Sequence, residues 1–126
     1  MVFKHLPPLF VVIFALLLGW VIFTQFFASR EIIQILYFYQ VDKILHMLGG
    51  FLVVGTAYKS LRFRVSVSFI FLLAVMILWE IFEWLVMPDV RELFIRNYSL
   101  WRQDTALDLI SGMVGGFAAS VSYRRR

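Results

Sequence analysis

The sequence predicts an all-α polytopic membrane protein: a four-transmembrane-helix bundle with two short interfacial helices, formed by a single membrane domain of residues 1–126. The first observation is composition, because 62% of the residues are hydrophobic and 16% are charged, and a soluble domain of this length cannot bury so much apolar surface. The second is the run at residues 6–29, which lacks Asp, Glu, Lys and Arg and exceeds the ~20 residues of a spanning helix. The third is a set of three further runs of this kind, at residues 44–58, 65–79 and 109–123.

The first run is predicted to be a retained helix, because it is too long for a cleaved signal peptide and no A-x-A-like site follows it. The three later runs are each somewhat short for a full crossing. Each reaches full length only when the neighbouring acidic residues are included, which indicates that these acids lie in the outermost turns of the helices. The predicted transmembrane helices are residues 7–28, 42–61, 65–87 and 104–123.

Two short amphipathic stretches separate the predicted spans. Residues 31–40 mix polar and apolar side chains and include two tyrosines. Residues 89–98 open with Asp89 and carry Glu92 three positions later, an arrangement typical of a capping box. We expect both to be interfacial helices at headgroup depth, with ordered loop as the alternative.

Charge is distributed unevenly between the two predicted membrane faces. Four spans place both termini on one side, which would hold seven Lys and Arg residues against five on the other. The positive-inside rule therefore predicts a multi-pass cell-membrane protein with cytoplasmic N- and C-termini. The basic residues form no nucleic-acid patch, so membrane lipid is the expected partner. All eight acids fall on the opposite side: Glu31, Asp42, Glu80, Glu83, Asp89, Glu92, Asp104 and Asp108.

Six ionisable residues form three pairs at helical spacing, so the members of each pair share one helix face. Because successive spans alternate in direction, all three pairs are expected at the same membrane depth. A charge at the membrane centre costs about 2.5–3.5 kcal/mol, and less towards the interface; six such groups are too costly to be accidental. Helix capping is the simpler explanation for the first Asp of two pairs. The pairs are Asp42–His46, Glu80–Glu83 and Asp104–Asp108.

Converging carboxylates repel one another, and some would take up protons unless a cation neutralises them. A divalent metal is one candidate, because Asp, Glu and neutral His suit Mg, Mn or Zn; the absence of cysteine excludes a thiolate site. The alternative is internal pairing, with Lys43 beside Asp42 and Arg102 near Asp104. The predicted metal ligands are Asp42, Glu80, Glu83 and Asp108.

Glycine is concentrated on the helices that carry these pairs. Six of the seven glycines lie in the second and fourth predicted spans. Small residues let membrane helices approach closely, so we expect these two helices to pack together. The first span has one glycine and no ionisable group, which indicates a packing and anchoring role.

Three motifs carry a resemblance to known families. DKILHMLGG at residues 42–50 resembles the D-K-x-x-H motif of VanZ-like membrane proteins, and WEIFEW at 79–84 resembles the E-x-x-E-W element of YjdF-like inner-membrane proteins. DTALD at 104–108 is similar to an element that both share. Ser111 and Glu83 replace an Asn and a Gln that VanZ-like proteins often carry, which favours the YjdF-like branch. The resemblance implies a membrane fold with a polar cluster and no particular chemistry.

Two functions from different classes remain open at this point. The first is a metal-assisted hydrolase or transferase that acts on a lipid or polyprenyl phosphate at the extracytoplasmic leaflet, with His46 as general acid or base and Asp104 orienting it. The alternative is a non-enzymatic cation-binding, transport or regulatory protein. A transport pathway needs polar groups through the whole membrane depth. The cytoplasmic halves of these helices offer only Gly, Ser and Thr, so transport would require a homo-oligomer. Purely structural pairing of the acids with basic residues is a third interpretation.

Overall fold

The computed structural model describes residues 8–86, 91–92, 95 and 97–124. Within these residues the chain forms α-helices and no strand, which confirms the predicted all-α class. In chain order the helices are α1 (Pro8–Phe26), α2 (Arg30–Phe38), α3 (Val41–Lys59), α4 (Val65–Val86) and α5 (Tyr98–Arg124).

Two of the helices are long and apolar enough to cross a membrane, through Val65–Leu85 of α4 and Tyr98–Tyr123 of α5. Helix α1 contributes a shorter apolar stretch, Val11–Thr24. Large apolar side chains project from the outer surfaces of these helices; Phe14 is 60% exposed and Ile70 is 69% exposed. This distribution is typical of helices that face lipid. The full four-span arrangement stays a prediction.

Helix α5 begins earlier than the sequence pattern predicts. Asn97 supplies the start, because its backbone carbonyl accepts the N–H groups of Leu100 and Trp101 at 3.1 and 3.3 Å. Its side-chain Oδ1 also accepts the Leu100 N–H at 3.4 Å. Asp104 therefore lies inside α5, and helix capping does not explain its position.

The remaining predicted bounds agree closely with α1, α3 and α4. Asp42 is the second residue of α3, and the N-cap before it is Gln40, which has left-handed backbone angles and makes no capping side-chain bond. Helix α2 covers most of the predicted interfacial helix at residues 31–40 and packs against α3. Half of the second predicted interfacial helix, at residues 89–98, lies outside the described residues.

Helices α3 and α5 run parallel and make the most extensive contact in the described fold. A Cβ added to Gly50 would overlap the backbone carbonyl of Gly112, and one added to Gly115 would overlap that of Met47. The two backbones therefore touch directly, as small residues permit in membrane helices. An apolar core from α3, α4 and α5 continues beyond this contact, formed by Val54, Leu72, Met76 and Ala119.

Chain direction places three helix termini together. Helices α3 and α5 begin at the end of the bundle where α4 finishes, and we call this the site end. Every ionisable pair that the sequence predicts lies in the half of its helix that is nearer the site end.

Candidate functional site

The ammonium group of Lys43 occupies the middle of a polar cluster at the site end. Its Nζ donates to Asp42 Oδ2 and Asp108 Oδ1, each at 2.7 Å, and to Asp104 Oδ1. The Lys43 side chain is 12% exposed and that of Asp108 is 2% exposed. An ammonium has three N–H donors, so three carboxylates use all of them. Lys43 thus links the start of α3 to two successive turns of α5.

A second constellation uses one residue from each of α3, α4 and α5. Ligand atoms of His46, Glu80 and Asp108 all lie within 4.8 Å of one another, and His46 Nε2 is 3.4 Å from Asp108 Oδ1. Glu80 Oε2 accepts a hydrogen bond from the Thr105 hydroxyl at 3.0 Å. Its other oxygen, Oε1, is buried and has no hydrogen-bond partner among the described residues.

Asp42, Asp104 and Asp108 form another group whose ligand atoms lie within 4.8 Å of one another. Lys43 contacts all three of these carboxylates, so the protein itself provides a cation at this position. In the group formed by His46, Glu80 and Asp108, the ion pair of Lys43 is with Asp108. His46 and Glu80 therefore mark the place where an additional cation would find ligands. We use the name polar cluster for Asp42, Lys43, His46, Glu80, Asp104 and Asp108.

Glu83 differs from the other predicted site residues in its hydrogen-bond partner. The indole N–H of Trp79 donates to Glu83 Oε1 at 2.8 Å, within the same helix. Glu83 belongs to neither of the two ligand groups found among the described residues. Of the six residues that the sequence singled out, five contribute to these two ligand groups, and Glu83 accepts a hydrogen bond from Trp79.

The contacts of Lys43 with Asp104 and Asp108, and that of Thr105 with Glu80, are the ones that the sequence does not predict. Lys43 was expected to pair with its neighbour Asp42, and it does, but it also reaches two carboxylates of α5. Its position three residues before His46 was the available signal, because that spacing puts both side chains on one helix face. Arg102, the other candidate for internal pairing, is exposed.

Aromatic side chains lie one turn outward from the polar cluster. The Trp84 and Trp101 rings are 5.7 Å apart between centroids, and the Tyr98 and Trp101 rings are 5.3 Å apart. Trp84 follows Glu80 by one helical turn, and Trp101 precedes Asp104 by nearly one. These three rings form an aromatic group next to the polar cluster, and Tyr and Trp are the residues that concentrate at membrane–water interfaces.

A family model described as "Predicted membrane protein (DUF2238)" matches residues 4–126 of the chain. The chain belongs to this family. The match includes every residue of the polar cluster and supports the membrane setting that composition and helix length predict. Affiliation with the VanZ-like or YjdF-like proteins stays a prediction. Neither the curated proteins nor the solved structures contain a match to the chain.

Proposed function

We propose that the protein is a four-span membrane enzyme that binds a divalent cation through His46, Glu80 and Asp108. In this proposal the termini are cytoplasmic, the site end faces the extracytoplasmic leaflet, and the reaction is hydrolysis or transfer on a lipid or polyprenyl phosphate. The observation that carries the proposal is the convergence of three helices on one point, with ligand atoms within 4.8 Å and a Glu80 oxygen that has no partner among the described residues.

The charge of the polar cluster supports a bound cation. Four carboxylates, those of Asp42, Glu80, Asp104 and Asp108, surround the single ammonium of Lys43. When all four are ionised, one positive charge faces four negative charges in a largely buried setting. Buried charges without compensation are strongly unfavourable, so a divalent cation would stabilise the arrangement.

The ligand types fit several divalent metals. One imidazole nitrogen and two carboxylates suit Zn, Mn or Mg to different degrees, and catalytic zinc sites typically use three protein ligands and keep a position open. An open position admits water or a phosphoryl oxygen, which the ion polarises. The hydrogen bond from Thr105 to Glu80 and the ion pairs around Asp108 would hold these ligands in place.

The membrane depth of the site supports a lipid substrate. The polar cluster lies one turn inside the Trp84–Trp101–Tyr98 aromatics, near the depth at which a lipid phosphate meets the interface. In hydrolysis, water attacks phosphorus and the bond from phosphorus to the leaving oxygen breaks. The proposal includes the similarity of the three motifs to VanZ-like and YjdF-like proteins. What this similarity contributes is the expectation that those proteins have a polar cluster of the same kind.

Metal binding separates this proposal from internal pairing alone. Purified protein, stripped with a chelator, is titrated with Zn, Mn or Mg in a calorimeter. Wild type is expected to bind one ion, and Glu80→Gln is expected to bind it at least tenfold more weakly. The matched control is Glu83→Gln, the same change three residues away in the same helix, which should retain binding. Equal weakening in both variants, or no binding by wild type, contradicts the proposed site.

His46 has two potential uses, as a metal ligand or as the general acid or base. His46→Gln is expected to lose metal affinity when the imidazole is a ligand. Retained affinity with lost turnover instead identifies His46 as the proton-transfer group. Turnover is measured as phosphate release from a polyprenyl diphosphate in proteoliposomes, with and without chelator. Release that is unchanged in a Glu80→Gln/Glu83→Gln double variant rules out the enzymatic role.

Helix packing gives little support to transport through a single protomer. The α3 and α5 backbones touch at Gly50–Gly112 and Met47–Gly115, just beyond the polar cluster. The buried hydroxyls of Ser68 and Ser120 donate to backbone carbonyls four and three residues earlier in the chain. A non-enzymatic cation-binding role uses the same ligands, and it predicts metal binding without phosphate release.

A further inference from the structure

The end of the bundle opposite the polar cluster carries a compact group of exposed cations. Helix α3 ends at Lys59, and the turn into α4 contains Arg62 and Arg64; all three residues are exposed. The Lys59 Nζ lies 4.9 Å from the centroid of the Tyr123 ring, so the last turns of α3 and α5 are neighbours. We call Lys59, Arg62 and Arg64 the basic surface.

The chain segments on either side of the basic surface contain no acidic residue. Residues 43–79 and residues 109–126 contain no Asp or Glu, and residues 124–126 add three more arginines after Tyr123. In the predicted topology the site end thus holds all the acids together with five basic residues, whereas this end holds basic residues without acids. Like charges gathered at a membrane surface repel one another unless counter-ions of opposite sign lie between them.

The basic surface is held at the boundary of the apolar region. The spanning stretch Val65–Leu85 begins immediately after Arg64, and the α3 segment before Lys59 is apolar. Side chains at such a boundary reach the depth of lipid headgroups, where long basic residues extend towards phosphate. A soluble nucleic acid or acidic protein would have to compete with the phosphates already at this depth.

We infer that the basic surface is a binding site for anionic phospholipids, with headgroup phosphates of the surrounding leaflet as the counter-ions of Lys59, Arg62 and Arg64. A basic residue near an anionic membrane contributes about 1 kcal/mol, which corresponds to about a fivefold change in association. This inference does not depend on the chemistry proposed for the site end.

The experiment uses the full-length protein in nanodiscs that contain equal amounts of phosphatidylglycerol and phosphatidylcholine. Native mass spectrometry measures the ratio of the two lipids that remain bound after release. Wild type is expected to retain an excess of phosphatidylglycerol. Each charge contributes about fivefold to the association. Arg62→Gln/Arg64→Gln is therefore expected to reduce that excess by about an order of magnitude or more.

The matched control is Arg91→Gln/Arg102→Gln, which removes the same charge from the site end and should preserve the excess. An equal loss in both double variants points to overall net charge and overturns the inference, as does an unchanged excess in Arg62→Gln/Arg64→Gln. Wild type alone gives a second test when a variant does not fold. The excess should diminish between about 0.05 M and about 1 M salt, because screening shortens the range of surface charge, and persistence at high salt contradicts the inference.

A further arm separates lipid phosphate from phosphate in solution. Inorganic phosphate is added to the mixed nanodiscs at the same ionic strength as a chloride reference. Retention of phosphatidylglycerol should be equal in the two solutions. Displacement by phosphate but not chloride indicates a site for the free ion and overturns the assignment to lipid.

Discussion

Lys43 is the residue on which the polar cluster depends most. Its three ion pairs place one positive charge among carboxylates from α3 and α5. A buried ion-pair network is not in itself a large source of stability, but removal of one partner leaves uncompensated charge behind. The effect of a substitution at Lys43 is therefore governed by the carboxylates that remain.

Lys43→Met is expected to destabilise the folded protein by about 3–5 kcal/mol, the usual cost of breaking a buried charge network from one side. Thermal unfolding in detergent measures the change. Arg102→Met removes an exposed cation from the same end and should have little effect. A second substitution, Asp108→Asn, should recover part of the loss in the Lys43→Met background. Equal stability of Lys43→Met and Arg102→Met is the result that contradicts this role.

Residue spacing predicts which ionisable side chains share a helix face, and it does not predict how the pairs combine. The four-residue separations of Asp42–His46 and Asp104–Asp108 put each pair on one helix face, and both pairs join the polar cluster. The same reasoning pairs Glu83 with Glu80, and the structure adds a hydrogen bond from the Trp79 indole to the Glu83 carboxylate. A local hydrogen bond of this kind depends on side-chain rotamers that spacing does not specify.

Among the helices, α3 and α5 fix the geometry of the site. Their glycine-rich faces predicted close packing, and the structure shows backbone contact at Gly50–Gly112 and Gly115–Met47. The relative shift of the two parallel helices decides which side chains meet. The backbone contact fixes how far α3 is displaced along α5, and at this displacement Lys43 reaches Asp104 and Asp108. The sequence of either helix alone therefore does not reveal the ion pairs.

Gly50→Val tests this contact directly. The added carbons would meet a backbone carbonyl, which cannot move aside as a side chain can, so overpacking is expected to cost at least about 1–3 kcal/mol. The matched control is Gly19→Val in α1, where an added Cβ has no described atom within 4 Å. Thermal unfolding should show a large decrease for Gly50→Val and little change for Gly19→Val. Similar midpoints for the two variants contradict the close approach of α3 and α5.

At the scale of the whole molecule, charge separates along the bundle axis. All eight acids of the chain fall at the site end in the predicted topology, and the basic surface and the arginines at residues 124–126 fall at the other. Composition and hydrophobic runs were sufficient to predict the helical class and the membrane setting. They did not define the start of α5, because the helix begins at Tyr98, six residues before the predicted start at Asp104.

The predicted orientation has a direct test, because the chain contains no cysteine. Single cysteines are introduced at the exposed positions Ser99 and Leu61, which lie at opposite ends of the bundle. With cytoplasmic termini, a membrane-impermeant maleimide should label Ser99→Cys in intact cells and Leu61→Cys only after permeabilisation. The reverse pattern contradicts the orientation, and labelling of both positions from outside contradicts a span between them.

The link from Lys43 to Asp104 also sets an order of assembly. These partners are 61 residues apart in the chain, so at 5–20 residues per second Lys43 leaves the ribosome roughly 3–12 seconds before its carboxylates on α5. During that interval α3 carries an aspartate, a lysine and a histidine at one end without the helix that accommodates them. In the proposed four-span topology, stable insertion of α3 would therefore await synthesis of the last helix, and we expect a chain that stops before α5 to be degraded.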